Sequence, residues 1–522
     1  MREFNVTGLC IPNKHYMADI SEKIRQIMAM VEKGQYFTIN RARQYGKTTT
    51  IRLLEKVLLE KNYQVARISF EGIGDTPFES EENFCQNIID QISRAIDIKN
   101  PEYAKTWIND SVKTYKDLDI FLNEVCKDKK VVLIIDETDK TSNNLVFLRF
   151  IGMLRDKYLE RGNPKRATFQ SVILAGVYDI KNLKLKMIQA GTHQLQDGEK
   201  RINSPWNIAV QFKIDMSLNE KEIASMLSEY ENDYKTGMDI EAISKEIRAY
   251  TNGYPFLVSR LCQIICEDLQ KGWNINGVRQ AVKIILNEPN LLFDDLGKNM
   301  ESNEELSNLL YDIVINGQVY GYNLTNAAME LGFIFGFLKK QDEQVAVDNL
   351  IFESVIYNHF MTKKKIKGIR IDKVLPSEII EDGKFNMELC VEKFAQHYYE
   401  LYRESGKKFL EEECRMLFLT YLKPLINGAG FCHVESETRN AKRMDIVVDY
   451  KTEQFIVELK LWYGEMSLEK AYEQLFDYLA SKGTDVGYLL TFDFRKEENV
   501  GKPQVKWVKY KGKSFFDCIV GI

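Results

Sequence analysis

The sequence predicts an α/β protein whose N-terminal half is built on a parallel sheet and whose C-terminal half is a second, smaller α/β unit. Three stretches carry that prediction. Tyr36-Phe37-Thr38-Ile39 reads as a short apolar strand that runs through a loop into Gly46-Lys47-Thr48 at the head of a helix reaching about Glu60. Residues 131–135 are an unbroken apolar run closed by Asp136 and Glu137, as expected for a central parallel strand buried on both faces. Near the C-terminus, Asp445 lies on one apolar strand and Glu458-x-Lys460 on the next.

Length and composition set the frame. At 522 residues the chain is too long for one core, so two to four domains are expected. Hydrophobic content of 44% and charged content of 28% describe an ordinary globular protein. No stretch approaches the ~18 apolar residues of a membrane span, and Met1-Arg2-Glu3-Phe4 opens no leader pattern; no membrane partner is expected. The nine Cys form no C-x-x-C pair and the five His are dispersed, which argues against zinc and fits a reduced, cytoplasmic setting. Cys262 and Cys266, one helical turn apart in an apolar run, read as core. A net charge of -5 gives no global attraction to nucleic acid. Lys363, Lys364, Lys365, Lys367, Arg370 and Lys373 form a local basic cluster. It reads either as a solvated linker or as a strip that touches phosphates.

In the N-terminal half, a strand, a loop and Gly-Lys-Thr opening a helix make the phosphate-binding geometry of P-loop NTPases. Backbone N–H groups at the helix start cradle phosphates, Lys47 reaches the β- and γ-phosphates, and Thr48 holds Mg²⁺. Arg43, Gln44, Tyr45, Gly46 and Thr49 complete the ATP-binding segment. Arg41 stands where the usual first Gly would be. Asp136 at the strand end supports Mg²⁺, and Glu137 polarises the hydrolytic water. Further strands are predicted at residues 64–71, 171–177 and 209–214, alternating with helices as in a parallel sheet. After residue 214 helices take over, and Asn252-Gly253-Tyr254-Pro255 breaks one helix and starts another. Residues 297–360 read as a small, mainly helical module that suits a winged helix; its Lys339 and Lys340 are available to DNA, though a structural lid fits better. The abundant Tyr and Phe read as core.

In the C-terminal half, two carboxylates can hold a hard divalent cation while Lys460 orients or deprotonates a water. Glu458 and Lys460, two apart on a strand, share a face, and the tight turn at 451–453 brings Asp445 beside them. Upstream, Glu413 recurs at helical spacing with Phe409, Leu410, Met416, Leu417 and Thr420, on an otherwise apolar face. Residues 431–437 read as a strand, with Glu435 a further acid; residues 467–480 read as a helix in which Gln474 shares a face with Ala471, Leu475 and Tyr478; residues 486–492 read as a strand.

This order of helix, three strands, helix and strand resembles the PD-(D/E)xK nuclease superfamily over residues 385–522. The resemblance assigns metal binding to Asp445 and Glu458, with Glu413 completing the site. It gives Lys460 the attacking water and Gln474 the role of the helix Gln of many members, with Mg²⁺ or Mn²⁺ as the cation. The segments Arg43-Gln44-Tyr45-Gly46-Lys47-Thr48, Asp136-Glu137, Asn203 to Ala209 and Gly253-Tyr254-Pro255 together resemble bacterial AAA-like ATPases that carry such a nuclease domain. These are akin to the STAND and Orc-like branch of the AAA+ class. The resemblance implies an ATPase core at 1–215, a helical lid at 216–296 whose Pro255 contacts nucleotide, a winged helix at 297–360, a basic linker at 361–384 and a nuclease domain at 385–522. That family also tends to lack the first loop Gly. Arg201 is a candidate arginine finger, and residues 174–177 occupy the sensor strand without a polar sensor. The implied function is a nucleotide-controlled, metal-dependent nuclease acting on DNA, with possible homo-oligomers and a role in defence against foreign DNA. Two alternatives remain: an ATP-binding switch whose nuclease-like domain binds nucleic acid or a partner without cutting, and a motor ATPase that drives DNA movement.

Overall fold

The computed structural model describes residues 2–138, 144–163, 165–176, 206, 208–315, 318–323, 325–363, 376–381, 384–402, 411–426, 430–434, 445–450, 453–462, 468–495 and 502–521. The chain divides into two compact units. One comprises residues 1–248, 253–263 and 334–336; the other comprises 249–252, 264–333 and 337–522.

The first unit opens with α1 (Ser21–Glu32), β1 (Phe37–Asn40), α2 (Lys47–Glu60) and β2 (Gln64–Ser69). It continues with α3 (Glu81–Asp97), α4 (Pro101–Lys105), α5 (Tyr115–Val125), β3 (Val131–Asp136), α6 (Leu145–Glu160) and β4 (Ser171–Gly176). The four strands are parallel in the order β1-β4-β3-β2. Helices cover both faces. Ala66, Leu133, Ile135 and Leu174 meet α3, α5 and α6 on one side. Val65, Val132, Ile134 and Ile173 meet α1 and α2 on the other. Burial on both faces is why β3 and β4 are apolar without alternation. Local chemistry sets the helix starts: Thr114 and Asp117 form a capping box at the head of α5.

The predicted strand at 209–214 is not a strand. Val210 makes one isolated bridge to Phe37, its N–H donating to the Tyr36 carbonyl at 2.8 Å. Phe212 and Ile214 pack on the core beside β1. Burial against that core produced the apolar alternation, and the backbone pairs only once.

Helices follow: α7 (Glu220–Tyr234), α8 (Ile240–Thr251), α9 (Pro255–Glu267), α10 (Ile275–Asn287), α11 (Leu291–Ser302) and α12 (Glu304–Val314). Then come β5 (Tyr320–Gly321), α13 (Ala327–Ile334), β6 (Leu338–Gln341), β7 (Gln344–Val347) and α14 (Leu350–Lys363). The strands form a small antiparallel sheet in the order β5-β7-β6. Lys340 on β6 pairs with Glu343 at 2.7 Å.

The C-terminal part runs α15 (Pro376–Ile379), β8 (Ile380–Glu381), β9 (Lys384–Phe385), α16 (Met387–Tyr402) and α17 (Glu411–Ile426). It then runs β10 (Gly430–Val434), β11 (Asp445–Tyr450), β12 (Glu453–Trp462), α18 (Leu468–Lys482), β13 (Val486–Asp493), β14 (Gln504–Tyr510) and β15 (Lys513–Gly521). The mixed sheet has the order β10-β11-β12-β13-β15-β14. Strands β10, β11 and β12 are antiparallel, β12 and β13 are parallel around α18, and β14 and β15 form an antiparallel edge pair. Ala471, Leu475, Tyr478 and Leu479 of α18 cover Val447, Ile456, Leu489 and Phe515 on one face. On the other face the rings of Phe394 and Tyr398 of α16 meet Phe492, and Phe418 of α17 packs against Phe394.

The basic cluster beyond Lys363, Arg201 and residues 203–205, Val177, Glu435 and the turn at 451–452 lie outside the described residues. Among the described residues no helix is long and apolar enough to cross a membrane.

Candidate functional site

The residues singled out in the sequence fall mainly at two places. At the first, β1 delivers the chain to a loop whose last residue, Gly46, has φ +75°. That left-handed turn suits Gly, and α2 starts immediately after it. The N–H groups of its first turn mark the end where anions bind. Lys47 is buried, and its Nζ donates to the carbonyls of Arg41 and Ala42 at 2.9 and 3.0 Å. The ammonium therefore already sits inside the loop. Arg41 is turned elsewhere: its guanidinium donates to the carbonyls of Asn40 and Ile214, both at 2.8 Å, and lies over the Phe212 ring. Burial lowers its pKa. Among the remaining loop residues, Gln44 has φ +56°, while Arg43, Gln44 and Thr48 are exposed and Tyr45 and Thr49 are half-buried. The Thr49 hydroxyl accepts from the Cys10 N–H at 3.3 Å.

Asp136 ends β3, with β4 between it and β1. Two strand spacings, roughly 9.6 Å, separate β1 from β3. Its carboxylate is buried and accepts from the Glu137 N–H at 3.0 Å. Burial raises its pKa, against the pull of that hydrogen bond and of Lys47 and Arg67. A raised folded pKa means stability present at acid pH and lost as pH rises through it. The nucleotide-free Asp136→Asn protein should therefore melt at a higher temperature than wild type at neutral pH. The gain should vanish once the pH is low enough to protonate Asp136; equal melting temperatures at neutral pH would refute this.

The outer side of the loop is held by the Gly253-Tyr254-Pro255 segment. A Cβ placed on Gly46 would lie 3.8 Å from Pro255 Cγ, so Pro255, the first residue of α9, stands over the loop. The Tyr254 hydroxyl donates to the Arg43 carbonyl at 2.5 Å, and its ring meets that of Tyr45 edge-on at 4.7 Å. The motif marked this segment in the sequence; the hydrogen bond from Tyr254 was not foreseen. The N-terminal strap lies along α7, where Tyr16 donates to Asp233 at 2.9 Å and its ring meets that of Tyr230 edge-on and that of Phe4 at a tilt. A cavity of about 600 Å³ opens between strap, α1 and α2, with Pro12, Met17, Ile20, Leu53 and Val57 in its wall.

At the second place, Asp445 and Glu458 are direct partners across β11 and β12, which puts their Cα atoms roughly 4.5–5.5 Å apart on one face. The Asp445 side chain lies outside the described residues. Glu458 is only 2% exposed and forms an ion pair with Lys460. This is the face under α18, because Ile456 of the same alternation packs there. Gln474 is half-buried at helical spacing from Ala471, Leu475 and Tyr478, on the side of α18 that meets the sheet. Glu413 is placed differently. It lies in the first turn of α17, in the helical layer on the opposite face, where its charge acts on Tyr402. No group of three His, Cys, Asp or Glu side chains converges among the described residues. The sequence reading missed Thr491, in register with Lys460, and Asp517, in one row with Glu458 through Leu489; both are fully buried on the same face. Tyr472 of α18 donates to Asp517 Oδ2 at 2.6 Å. The polar alternation Thr491-x-Asp493 in an apolar strand was the available signal.

Residues 11–353 match the family described as AAA-like domain. The chain belongs to the AAA-like domain family. A curated relative, the uncharacterized WD repeat-containing protein slr0143 of Synechocystis sp. (strain ATCC 27184 / PCC 6803 / Kazusa), is 22% identical over 321 residues, covering 58% of this chain. The match spans 24% of that relative, so the AAA-like chain corresponds to about a quarter of its length. Among solved structures, the Walker-type ATPase PABY2304 of Pyrococcus abyssi matches 68% of this chain and 99% of its own at 11% identity and TM-score 0.43. Cdc6p from Pyrobaculum aerophilum covers 69% of this chain and 97% of its own at 12% identity and TM-score 0.31. The Aeropyrum pernix ORC2 protein, in ADPNP–ADP complexes, covers 66% and 93% at 10% identity and TM-score 0.36.

In the AAA-like half, the fold gathers Gly46, Lys47 and Pro255 around one loop, with Asp136 and Glu137 at the end of β3. A helix N-terminus, a buried ammonium and a buried carboxylate form a donor set suited to a polyphosphate and its cation. In the C-terminal sheet, the fold gathers Glu458 and Lys460 with the backbone of Asp445, under the helix that carries Gln474.

Proposed function

We propose that this AAA-like protein binds ATP with Mg²⁺ at residues 43–49 and that its C-terminal sheet hydrolyses phosphodiester bonds in DNA under control of the bound nucleotide. The observation that carries the nuclease part is the Asp445–Glu458 register, with Lys460 on the same face. Two carboxylates side by side can hold a divalent cation, Mg²⁺ or Mn²⁺, which would polarise the phosphate and activate water. Asp445 and Glu458 are the assigned ligands, Lys460 orients the nucleophile, and Gln474 steadies it from α18. Glu413, on α17 in the opposite layer, is the further metal ligand of this reading.

At the loop, the first-turn N–H groups of α2 and the Lys47 ammonium take the phosphates, Thr48 and Asp136 hold Mg²⁺, and Glu137 positions water. Arg43, Gln44, Tyr45 and Thr49 line the loop, and Pro255 caps it. The cavity wall begins at Leu53, roughly 7.5 Å along the helix from Thr48, a reach that suits the adenosine. In this reading residues 1–215 are the ATPase core, 216–296 the lid, 297–360 the winged helix, 361–384 the linker and 385–522 the nuclease.

Lys47→Ala should weaken ATP binding by roughly a hundredfold or more, about 3 kcal/mol for one buried charge–phosphate contact. Isothermal titration with ATP measures it; wild-type affinity would remove Lys47 from the site. Cleavage is tested by incubating the protein with linear, circular and single-stranded DNA in Mg²⁺ or Mn²⁺, with and without ATP. Absence of cleavage in every combination favours the switch that binds without cutting.

A further inference from the structure

We infer that β14 is a track for single-stranded nucleic acid, with Lys502, Lys506 and Lys509 on its phosphates and Trp507 stacked on an unpaired base. This deepens the nuclease reading and rests on it for the location of the cut.

Residues 502–513 contain Lys502, Lys506, Lys509, Lys511 and Lys513 and no Asp or Glu, in a chain whose net charge is -5. Lys511 is held by Glu473 at 2.5 Å and Lys513 by Asp485 at 3.3 Å. Lys506 pairs loosely with Asp517 at 3.6 Å while its side chain stays 55% exposed. Lys502 and Lys509 have no ion-pair partner among the described residues and are exposed. The positive charge left unmatched therefore lies along β14 itself.

Strand β14 ends the sheet order, so its outer edge has no strand partner among the described residues. Lysines alone would suit an edge guarded against aggregation. Trp507 does not suit such an edge: its indole is 53% exposed and rests against Phe516 at 5.3 Å. A fixed, half-open indole among lysines is what stacking of an unpaired base uses. Register places the track. Lys506, Asp517, Leu489 and Glu458 form one row across β14, β15, β13 and β12. Three strand spacings make about 14 Å. Trp507 and Lys509 alternate to the other face, with Phe516 beside Trp507, so a single strand lying along the outer edge of β14 meets lysines from both faces.

The test is fluorescence anisotropy of full-length protein with labelled single-stranded DNA, single-stranded RNA and duplex DNA, in EDTA so that binding is separated from cleavage. The Lys506→Gln/Lys509→Gln variant should bind a single strand at least tenfold more weakly. The salt slope should fall by roughly 1.4, two contacts at ~0.7 each. Trp507→Ala should weaken binding about tenfold with an unchanged slope, and bound oligonucleotide should shield Trp507 from acrylamide. The DNA and RNA arms identify the strand's chemistry. Wild-type affinity in these variants, preference for duplex with Trp507 still quenched, or a dimer that Trp507→Ala dissociates in sedimentation would overturn the inference, the last by giving the edge to a second copy. Tight, β14-dependent binding without cleavage in Mg²⁺ or Mn²⁺ would support the track and defeat the nuclease reading instead.

Discussion

Glu458→Ala should abolish metal-dependent cleavage, with the rate falling about a thousandfold or more, while ATP affinity stays within about twofold of wild type. The carboxylate is buried, faces Asp445 in register and holds the Lys460 ammonium. Removing it deletes an assigned ligand and strands a cation that is itself mostly buried. The second effect falls on stability, so Glu458→Gln, which keeps the shape, is the control. Lys460→Ala should be equally inactive. Its Glu458 would stay able to bind metal, so Mg²⁺ titration by calorimetry should show retained or tighter binding in that variant alone. Cleavage by Glu458→Ala at the wild-type rate would sink the assignment.

Gly253→Ala should cost about 3 kcal/mol or more of folding stability and weaken ATP binding with it. Gly253 has φ +70°, and a Cβ there would lie 1.9 Å from the Leu218 carbonyl oxygen and 2.7 Å from Arg248 Nη1. The Leu218 N–H donates to the Gly253 carbonyl at 2.8 Å, so neither backbone can move without breaking that bond. Clash and left-handed strain add at one residue. The next two residues are Tyr254, bonded to the Arg43 carbonyl, and Pro255, over Gly46, so the damage should reach the phosphate loop. Urea unfolding and ATP titration measure the two effects. Gly152→Ala in α6 is the contrast: its Cβ meets nothing within 4 Å, and the protein should gain up to about 1 kcal/mol. Equal stability of the two variants would refute the steric account.

What the sequence made legible was wherever one physical signal dominated. Strands β3 and β4 were readable because burial on both faces leaves no polar position to confuse the pattern. The pairing of β11 and β12 was readable because Asp445 and Glu-x-Lys sit on apolar strands only a few residues apart in sequence. Residues 209–214 misled because packing of Phe212 and Ile214 imitates a ladder that forms at Val210 alone. Glu413 belongs to α17, in the helical layer opposite α18, a placement its spacing does not give. Helical spacing tells which side of a helix is buried, but not which face of a sheet that helix covers. Arg41 could not be resolved from sequence, since its partners Ile214 and Phe212 are some 170 residues away. The edge pair β14–β15 was missed because an exposed strand rich in Lys lacks apolar alternation.

Lys47 closes on its own loop, holding the carbonyls of Arg41 and Ala42. Nucleotide entry is then an exchange: two hydrogen bonds must be released before phosphate contacts replace them, and the net affinity reads only the difference. A nucleotide with fewer phosphates recovers less of what the lysine releases. The loop thus acts as its own competitor, and it ranks ligands by how completely they can displace its lysine contacts.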